Sequence, residues 1–498
     1  MIPLVTAEQM RRIEEEFVRS GGDLGWLMGR AGMEVASRIA GGRRVLILAG
    51  PGNNGGDGLA AARIIRERGD EVFVYTFKRE PAEEFANART EDDPNLDILR
   101  RQADRANEIV DGLLGIGRAR KIEGRLADII ETANSAQGAR RIAIDIPTGV
   151  ECDSGAVETV SFRADSTVTL GLGKRGLWGA PAVDFAGDIA IADIGLPPGL
   201  GGDSGCALAT PEDIARLLPN RTRDWNKGKS GRLLVVSGCS EYAGAPLLVA
   251  NAAYRAGAGL VDLAVPKVIR GSVASGTVES IFAPVLEQTH LGIETLGQIA
   301  NNLDQADVIA IGPGLGSHAG TVEMVQALLP DLKQRNKPTL VDADGLNALS
   351  KWDRWYESAP ESLVITPHPG EMARLLKVTV REVQSNRFSM AQEGATRWGC
   401  VVVLKGANSI IATPSGRMWV NPVGGPNLAA GGTGDVLTGI IGALLAQRLA
   451  PEDAALAGSW IHGAAGDELR GELGDSGTLA SDLWTRIPTV KKRIQDAS

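Results

Sequence analysis

A glycine-rich string near the N-terminus carries side chains suited to binding a small molecule. Residues 50–58 read GPGNNGGDG, and the glycines satisfy the G-x-G-x-x-G spacing between an apolar run and a helical pattern. In a dinucleotide-binding fold this spacing places a pyrophosphate on backbone amides at the N-terminus of a helix. The spacing alone therefore indicates a Rossmann-type nucleotide site.

Two details of this string disfavour a dehydrogenase. Residues 75–78, at the end of the next predicted strand, lack the acidic residue that usually binds the ribose. The loop also carries Asn53, Asn54 and Asp57, where a plain Rossmann turn needs only small residues. Oxygen-bearing side chains in a glycine loop suit a hard monovalent cation and a polar substrate better.

Two aspartates follow later apolar runs of the same half. Asp145 lies near the end of the run at residues 141–146, and Asp111 ends the run at residues 109–111. The carboxyl ends of parallel strands form the ligand crevice of open α/β sheets, and a carboxylate there can transfer a proton. Asp145 is the predicted acid–base residue. The alternatives are an Asx turn before Pro147 for Asp145 and a helix or turn cap for Asp111.

A second glycine string precedes a long apolar helical pattern in the C-terminal part of the chain. Residues 431–435 read GGTGD. Backbone amides that turn inward at a helix N-terminus form a hole for developing phosphate charge. Asp435, in the first turn of that helix, could take a proton from a hydroxyl that attacks phosphorus. The alternative is an ordinary N-terminal helix residue after a flexible loop.

Short apolar runs that alternate with helical patterns must position these residues. Strands buried on both faces and separated by helices are typical of doubly wound α/β folds. The predicted fold is α/β with two doubly wound domains, the first a Rossmann-like three-layer α/β/α domain. The predicted strands are residues 45–49, 72–77, 109–111 and 141–146 in the first half, and residues 232–237, 261–265, 308–311, 339–341, 363–365 and 401–404 in the second.

The length of the chain predicts more than one domain. Domains usually have ~100–200 residues, and this chain has 498. Residues 196–205, LPPGLGGDSG, are rich in Pro and Gly and form the predicted linker. The predicted domains are residues 1–205 and 206–498.

Composition and charge exclude several classes of function. Hydrophobic residues make up 43% and charged residues 23% of the chain, as in ordinary globular proteins. The net charge of −9 disfavours a nucleic-acid partner, because nucleic-acid binding depends on clustered Lys and Arg. The four cysteines and four histidines form no C-x-x-C or H-E-x-x-H pattern, which disfavours a zinc site or a disulfide framework.

The N-terminal residues predict a helix rather than a targeting segment. Thr6 and Gln9 have the spacing of a capping box and precede a charged amphipathic pattern without an apolar signal core. No apolar run of the sequence approaches the ~20 residues that cross a bilayer. The expectation is a soluble, cytoplasmic protein with no membrane partner.

The full first glycine string resembles the NAD(P)HX epimerase family. Three further strings follow in the family's order: DGLLGIG at 111–117, AIDIPTGVECDSG at 143–155 and TLGLGKRGL at 169–177. The resemblance implies potassium ligands at Asn54, Asp111 and Thr148. It implies substrate contacts at Asn53, Asn54, Gly55, Gly56, Asp57, Gly115, Ile116, Gly117, Arg118, Ala119, Arg120, Lys121 and Asp145.

The second half resembles the ribokinase-like kinases at GGTGD, and the surrounding strings resemble the NAD(P)HX dehydratase branch of that superfamily. Strings such as VIAIGPGLG, LVDADGLNAL, VITPHPGEMARLL and VVLKGANSIIA follow in the family's order through nearly the whole domain. The resemblance implies contacts with the hydrated cofactor at Ala258, Gly314, Gly316, His368 and Asp435. It implies ADP-binding positions at Lys405, Gly406, Ala407, Asn408, Ser409 and Gly434.

Together these resemblances imply a bifunctional repair enzyme for the hydrated nicotinamide cofactors NADHX and NADPHX. The first domain would interconvert the R and S hydrates. The second, a ribokinase-like domain, would phosphorylate the ring hydroxyl of the S hydrate from ADP and then eliminate phosphate, leaving AMP and NAD(P)H. The resemblance implies K⁺ in the first domain and a homo-oligomer, and Mg²⁺ is expected from the phosphoryl chemistry.

Two other functions fit parts of the pattern. A sugar or vitamin kinase fused to a Rossmann-like nucleotide-binding module would share the glycine hole and Asp435, but it would retain a phosphorylated product. A non-catalytic nucleotide sensor with two degenerate domains is disfavoured, because Asp145 and Asp435 both stand within complete motifs. His368, taken alone, would more often be a loop histidine or a hydrogen-bond partner in the core.

Overall fold

The computed structural model of the chain describes residues 1–117, 121–197, 199 and 204–496. The chain divides into two compact units, Ile2–Ala207 and Leu208–Ser498, the second of which also includes Met1. Each unit consists of alternating strands and helices. The predicted α/β class is confirmed for both.

The first unit holds a parallel sheet. Its strands are β1 (Ile2–Val5), β2 (Arg44–Ala49), β3 (Glu71–Thr76), β4 (Ala86–Arg89), β5 (Glu108–Gly112), β6 (Arg140–Ile144), β7 (Ser166–Leu170), β8 (Gly173–Lys174) and β9 (Asp188–Ala192). Its helices are α1 (Ala7–Arg19), α2 (Leu24–Ser37), α3 (Asn53–Glu67), α4 (Asp97–Arg105), α5 (Arg125–Ser135) and α6 (Val183–Ala186). Seven strands pair in the order β4-β3-β2-β5-β6-β7-β9, each parallel to its neighbours.

The position of β2 explains where a ligand can bind in this sheet. In the sheet β2 lies between β3 and β5. The chain runs from β2 outward through β3 and β4 and then returns to form β5 on the other side of β2. A crevice opens at the carboxyl ends of the strands at such a topological switch point. Alternate residues of β2 enter opposite apolar layers, Ile47 with the side chains of α2 and α3 and Leu46 with those of α4 and α5. Burial on both faces is the reason why the strand is uniformly apolar.

The second unit also builds on a largely parallel sheet. A short strand, β10 (Cys206–Leu208), falls where the two units divide. The strands that follow are β11 (Arg232–Val236), β12 (Leu260–Ala264), β13 (Ile281–Phe282), β14 (Val308–Ile311), β15 (Thr339–Val341), β16 (Leu363–Ile365), β17 (Val401–Leu404), β18 (Ser409–Ala412) and β19 (Met418–Asn421). The helices are α7 (Pro211–Leu217), α8 (Gly244–Ala256), α9 (Lys267–Gly276), α10 (Thr295–Gln298), α11 (Ala300–Gln305), α12 (Ala319–Gln334), α13 (Asp344–Leu349), α14 (Pro369–Leu376), α15 (Val380–Ser385), α16 (Arg387–Trp398), α17 (Thr433–Ala446), α18 (Pro451–Leu473) and α19 (Ala480–Asp496).

The strands of this sheet run in the order β13-β12-β11-β14-β15-β16-β17-β18-β19. Neighbours are parallel from β13 to β17, but β18 is antiparallel to both β17 and β19. The sequence did not predict β18 and β19. As a consequence, the predicted ADP-binding positions that follow β17 form a hairpin loop, in which Gly406 and Asn408 have φ angles of +140° and +51°.

The second glycine string leads into helix α17, which packs against this sheet. Every residue from Val436 to Ala446 is buried, and the helix packs against α8 and α18 as well as the strands. A helix that is apolar on all sides belongs in the interior, so the long apolar pattern after Asp435 is explained.

None of the described helices is long and apolar enough to cross a membrane.

Candidate active sites

The first site is built on the loop between β2 and α3. Gly50 approaches the segment after β5 so closely that a Cβ atom on it would lie 1.7 Å from the Leu113 carbonyl oxygen. A Cβ atom on Gly55 would lie 2.1 Å from the Gly50 carbonyl oxygen. Helix α3 starts at Asn53 after the N-cap Gly52, and no side chain caps it. Close backbone approach therefore requires glycine here, and the first amides of α3 are left without a capping side chain.

The three residues predicted to bind potassium converge on Leu114. Asn54 donates from Nδ2 to the Leu114 carbonyl oxygen over 2.9 Å, and Leu114 N donates to Thr148 Oγ1 over 3.0 Å. Asp111 accepts hydrogen bonds from Thr148 N at 2.7 Å and from Thr148 Oγ1 at 2.8 Å. The fold thus brings together three oxygen-bearing side chains that lie far apart in the sequence.

Asp111 is a wholly buried carboxyl group. Burial raises its pKa to about 6, although hydrogen bonds from Thr148 and Leu113 oppose the shift. Among the described residues, no cationic side chain acts on this carboxyl group. A buried carboxylate together with neutral oxygen donors fits a hard cation. The donor set therefore suits potassium.

Asp145 follows β6 directly and pairs with a lysine. Lys174 Nζ lies 2.5 Å from Asp145 Oδ1, and Lys174 is 1% exposed. The carboxylate also accepts a hydrogen bond from Leu170 N at 3.0 Å, so its bonds go to the end of β7 rather than to an Asx turn before Pro147. The φ angle of Asp145 is +64°. Such a conformation is uncommon outside glycine and is typical of functional positions.

Two further acidic groups surround this ion pair. Burial and the negative charges of Asp145 and Glu14 together raise the pKa of Asp57 to about 8, although Lys174 opposes the shift. Burial also raises the pKa of Glu14, which is on α1, while Lys174 opposes the shift. The cluster therefore combines an ionised pair with a protonated acid, and it can both donate and accept a proton near neutral pH.

Part of the predicted substrate loop lines a cleft beside the potassium ligands. The lining of this cleft includes Gly115, Gly117 and Thr148. Lys121 forms an ion pair with Glu123. The predicted positions Arg118, Ala119 and Arg120 lie outside the described residues.

The second site lies where β15 and β17 end against the first turn of α17. Lys405 Nζ lies 2.7 Å from Asp342 Oδ1. Thr438 Oγ1, one turn after Asp435, donates to Asp342 Oδ2 over 2.9 Å. A Cβ atom on Gly434 would lie 3.5 Å from Lys405 Nζ and 3.7 Å from Asp342 Oδ2. The structure thus brings the predicted positions 405, 434 and 435 together around Asp342.

Asp435 lies in the first turn of α17, after the N-cap Gly432. Burial raises its pKa to about 7, and the charge of Asp342 adds to the shift while Lys405 opposes it. Although burial lowers the pKa of Lys405, Asp342 and Glu371 raise it above its ordinary value, so Lys405 is charged. A carboxyl group that titrates near neutrality is suited to general-base catalysis.

His368 is the N-cap of α14 and not a free loop residue. Its Nδ1 accepts a hydrogen bond from Gly370 N at 3.0 Å, and Glu371 Oε2 accepts one from His368 N at 2.8 Å. The other ring nitrogen, Nε2, lies 3.2 Å from Glu371 Oε1. Burial, Lys405 and Arg374 lower the pKa of His368, whereas burial raises that of Glu371 to about 7. His368 is therefore neutral, with its ring proton on Nε2.

The glycines after β14 face the same edge of the sheet. Gly314 and Gly316 have φ angles of +64° and +74°. Gly316 N donates to Asp344 Oδ2 over 2.9 Å, and Asp344 also raises the pKa of Asp435. Gly316 is thus linked to Asp435 through Asp344, whereas Gly314 packs against Ala245 and Tyr242.

Ala258 does not join these residues. It precedes β12, and the adjacent Gly259 N donates to the carbonyl oxygen of Gly231, just before β11, over 3.0 Å. Because β11, β12 and β14 are parallel, Ala258 lies at their amino ends and Gly314 at the carboxyl ends. The structure places this predicted substrate contact at the opposite edge of the sheet.

Sequence reasoning did not assign a role to four charged residues of these sites. They are Glu14, Lys174, Asp342 and Glu371. Asp342 stands directly after the short buried strand β15, and a charged residue at such a position was the available signal. Lys174 ends the two-residue strand β8, which has no apolar pattern. Among the described residues, no group of three or more His, Cys, Asp or Glu is arranged to hold a metal ion.

Comparison with protein families agrees with this division into two sites. Residues 233–489 match the model of the NAD(P)H-hydrate dehydratase family. Residues 25–176 match the model described as YjeF-related protein N-terminus.

Comparison with curated proteins covers both units at once. The chain is 38% identical to the bifunctional NAD(P)H-hydrate repair enzyme Nnr of Moorella thermoacetica, over 94% of this chain and 93% of the relative. It is 35% identical to the enzyme of the same name from Escherichia coli, over 90% of this chain and 85% of the relative.

Solved structures resemble part of the chain. One is the ADP/ATP-dependent NAD(P)H-hydrate dehydratase from Bacillus subtilis, co-crystallised with ATP and Mg²⁺, with a TM-score of 0.50 and 30% identity over 58% of this chain and 98% of that one. Another is a ribokinase-like superfamily protein from Enterococcus faecalis, with a TM-score of 0.52 and 26% identity over 58% of this chain and 97% of that one.

Proposed function

The chain belongs to the family of bifunctional NAD(P)H-hydrate repair enzymes, and we propose that it restores hydrated nicotinamide cofactors in two consecutive steps. The first unit interconverts the R and S hydrates. The second converts the S hydrate into NAD(P)H with ADP as co-substrate, and AMP and phosphate leave. The observation that carries this proposal is that each unit has its own buried acid–base cluster, around Asp145 and Lys174 in one and around Asp435 and Lys405 in the other.

Epimerisation requires the hydroxyl on the ring carbon beside nitrogen to leave and return. The sequence predicted Asp145 as the acid–base residue, but its carboxylate is paired with Lys174. We therefore assign Asp57, whose pKa is about 8, to protonate that hydroxyl as the C–O bond breaks and water forms. The negative charge of Asp145 stabilises the cationic ring that results, and Lys174 holds this carboxylate in place. Water then adds to the opposite face of the ring and returns its proton to Asp57.

Potassium is proposed at Asn54, Asp111 and Thr148. The support is the all-oxygen donor set and the buried charge of Asp111. When bound, the cation would offset this charge and order the Leu114 segment that lines the cleft.

Dehydration begins with phosphorylation of the same ring hydroxyl. Asp435 takes the hydroxyl proton as the oxygen attacks the terminal phosphorus of ADP, and AMP leaves. The charged Lys405, beside Gly434, stabilises the transferred phosphate. Phosphate then leaves from the ring carbon with the electron pair of the C–O bond. The departing phosphate takes a proton from the adjacent carbon, which restores the double bond.

Magnesium and ADP are proposed from the relative and from the chemistry. The similar enzyme from Bacillus subtilis is called ADP/ATP-dependent and was co-crystallised with ATP and Mg²⁺. Because the described residues offer no cluster of acidic or histidine ligands, the phosphate oxygens would supply most of the coordination of Mg²⁺. Assembly into a homo-oligomer and a cytoplasmic location stay predictions.

The test is recovery of NADH from purified S and R hydrates, with ADP, with ATP and with neither nucleotide. The proposal expects recovery from the S hydrate with ADP and no recovery without a nucleotide, and recovery from the R hydrate when both sites are active. A stable phosphorylated product on another hydroxyl substrate, without NADH, would favour the alternative of a hydroxyl kinase fused to a nucleotide-binding unit.

A further inference from the structure

A buried arginine lies beneath the hairpin loop between β17 and β18. Arg387, the first residue of α16, is 1% exposed. Its Nη2 donates to the Leu404 carbonyl oxygen over 3.2 Å, and its Nη1 donates to the Lys405 carbonyl oxygen over 3.3 Å and to Gln384 Oε1 over 3.1 Å. Among the described residues, its Nε has no hydrogen-bond partner.

The loop is shaped around this guanidinium group. Gly406 has a φ angle of +140°, and a Cβ atom on it would lie 2.7 Å from Arg387 Nη1. Any larger residue would displace either the loop or the arginine, so close packing requires glycine here.

The hydrogen bonds from Arg387 to the two carbonyl oxygens determine where the amide N–H groups of the loop point. In a trans peptide the C=O and N–H bonds point in opposite directions. With the Leu404 carbonyl turned toward Arg387, Lys405 N–H points the other way, where it donates to the Pro367 carbonyl oxygen over 2.9 Å. By the same geometry, Gly406 N–H also points away from the guanidinium, because the Lys405 carbonyl oxygen accepts from Arg387 Nη1.

Within the described residues, the hydrogen bonds of the Arg387 guanidinium go to neutral oxygens. Burial lowers the pKa of Arg387 to about 10, which still leaves it cationic at neutral pH, and no described carboxylate offsets that charge. A buried cation is costly unless it is paired. An anion bound on the outer side of the loop would compensate for that cost.

We propose that Arg387 is a positioning residue that shapes this loop to bind the terminal phosphate of a nucleoside diphosphate. The inference rests on the proposed function, since it concerns the loop assigned there to ADP. It adds a residue that touches neither substrate: Arg387 acts through the amide of Gly406 and through its charge beneath the loop.

Three variants test this role. Arg387→Met removes the charge and the hydrogen bonds to both carbonyl oxygens. Arg387→Lys keeps the charge but not the bidentate geometry. Arg397→Met removes an exposed arginine from the same helix and serves as the matched control. Binding of ADP and of adenosine is measured by calorimetry, and KM for ADP and for the S hydrate is measured in the full-length protein.

The proposal expects Arg387→Met to weaken ADP binding and raise KM for ADP by about tenfold or more, with adenosine binding, KM for the hydrate and epimerase activity nearly unchanged. Arg387→Lys should recover part of the loss. Equal weakening of ADP and adenosine, or a fall in kcat at unchanged KM for ADP, would overturn it. If Arg387→Met does not fold, the test rests on Arg387→Lys, which cannot form the same pair of hydrogen bonds. A KM for ADP equal to that of the wild type in this variant would also overturn the proposal. Absence of ADP-dependent NADH formation in the wild type would instead reject the proposed function itself.

Discussion

Lys405 Nζ lies 2.7 Å from Asp342 Oδ1, and the Asp342 side chain is 1% exposed. The other oxygen of this carboxylate accepts a hydrogen bond from Thr438 Oγ1 on α17. One buried carboxylate thus connects the hairpin loop after β17 to the helix that carries Asp435. Its negative charge also raises the pKa of Asp435, so the geometry of the site and its titration are coupled.

The dehydratase reaction should depend on pH through Asp435. A general base must be ionised, and the pKa of Asp435 is raised to about 7, so kcat/KM should rise as pH increases through 7. Asp342→Asn removes a neighbouring negative charge and should move the rising limb to lower pH by about one unit. Initial rates of NADH formation across the neutral range measure this shift. Asp353→Asn, which changes an exposed carboxylate paired with Lys377, is the control; an unmoved limb in Asp342→Asn would contradict the assignment.

The ion pair between Lys174 and Asp145 should make the two residues interdependent. Removing one partner of a buried pair costs about 3–5 kcal/mol because it leaves an uncompensated charge. Lys174→Met should therefore destabilise the first unit strongly and abolish epimerisation. The double variant Lys174→Met/Asp145→Asn should recover much of the stability but none of the activity. Urea denaturation gives the interaction free energy, and simple additivity of the two substitutions would be evidence against the buried pair.

The proposed potassium site predicts a dependence on monovalent cations in one activity alone. Thr148→Val removes an oxygen that hydrogen-bonds to both Asp111 and Leu114. The stimulation of the epimerisation rate by K⁺ should therefore fall by about tenfold or more. Thr132→Val, on the exposed face of α5, should leave it unchanged. Titration with KCl against a choline salt measures the effect. A wild-type epimerase equally active in both salts would rule the site out.

Asp57 should make the first unit less stable as the solution becomes more alkaline. Its pKa is raised from 3.8 to about 8 in the folded state, so its contribution to stability is complete below pH 3.8 and is lost as pH rises through 8. Asp57→Asn imitates the protonated form and should raise Tm at pH 8 by about 2 °C or more, with a smaller gain at acidic pH. Thermal unfolding followed by calorimetry measures the difference. Asp104→Asn, at an exposed position of α4, is the control, and a gain that does not depend on pH would argue against a protonated Asp57.

The ends of the apolar segments were the most predictable part of the site. Asp145 could be found because it stands near the end of an apolar run, and Asp435 because it stands between a glycine string and an apolar helical pattern. The structure places Asp145 directly after β6 and Asp435 in the first turn of α17. Asp111 and Thr148 could be brought together only through the resemblance to a family. Their hydrogen bond joins residues 37 apart in the sequence, and nothing in the local pattern of either residue indicates the other.

Side-chain contacts between different strands of the sheet could not be predicted from the sequence. The bond between Lys405 and Asp342 spans 63 residues and depends on β16 lying between β15 and β17. Strand order follows from packing rather than from periodicity, so the partner of Lys405 could not be predicted. The position of Ala258 at the amino ends of the strands shows the same limit, because a matching string does not say at which edge of the sheet it will lie.

The central claim is that one chain carries two independent active sites. The most direct measurement compares Asp435→Asn and Asp145→Asn in the full-length protein, with ADP-dependent NADH formation from the S hydrate and R-to-S interconversion followed separately. The account predicts that Asp435→Asn lowers dehydration by about 10²–10⁴-fold and leaves epimerisation intact, and that Asp145→Asn does the reverse. Loss of both activities in either folded variant would contradict the two-site account.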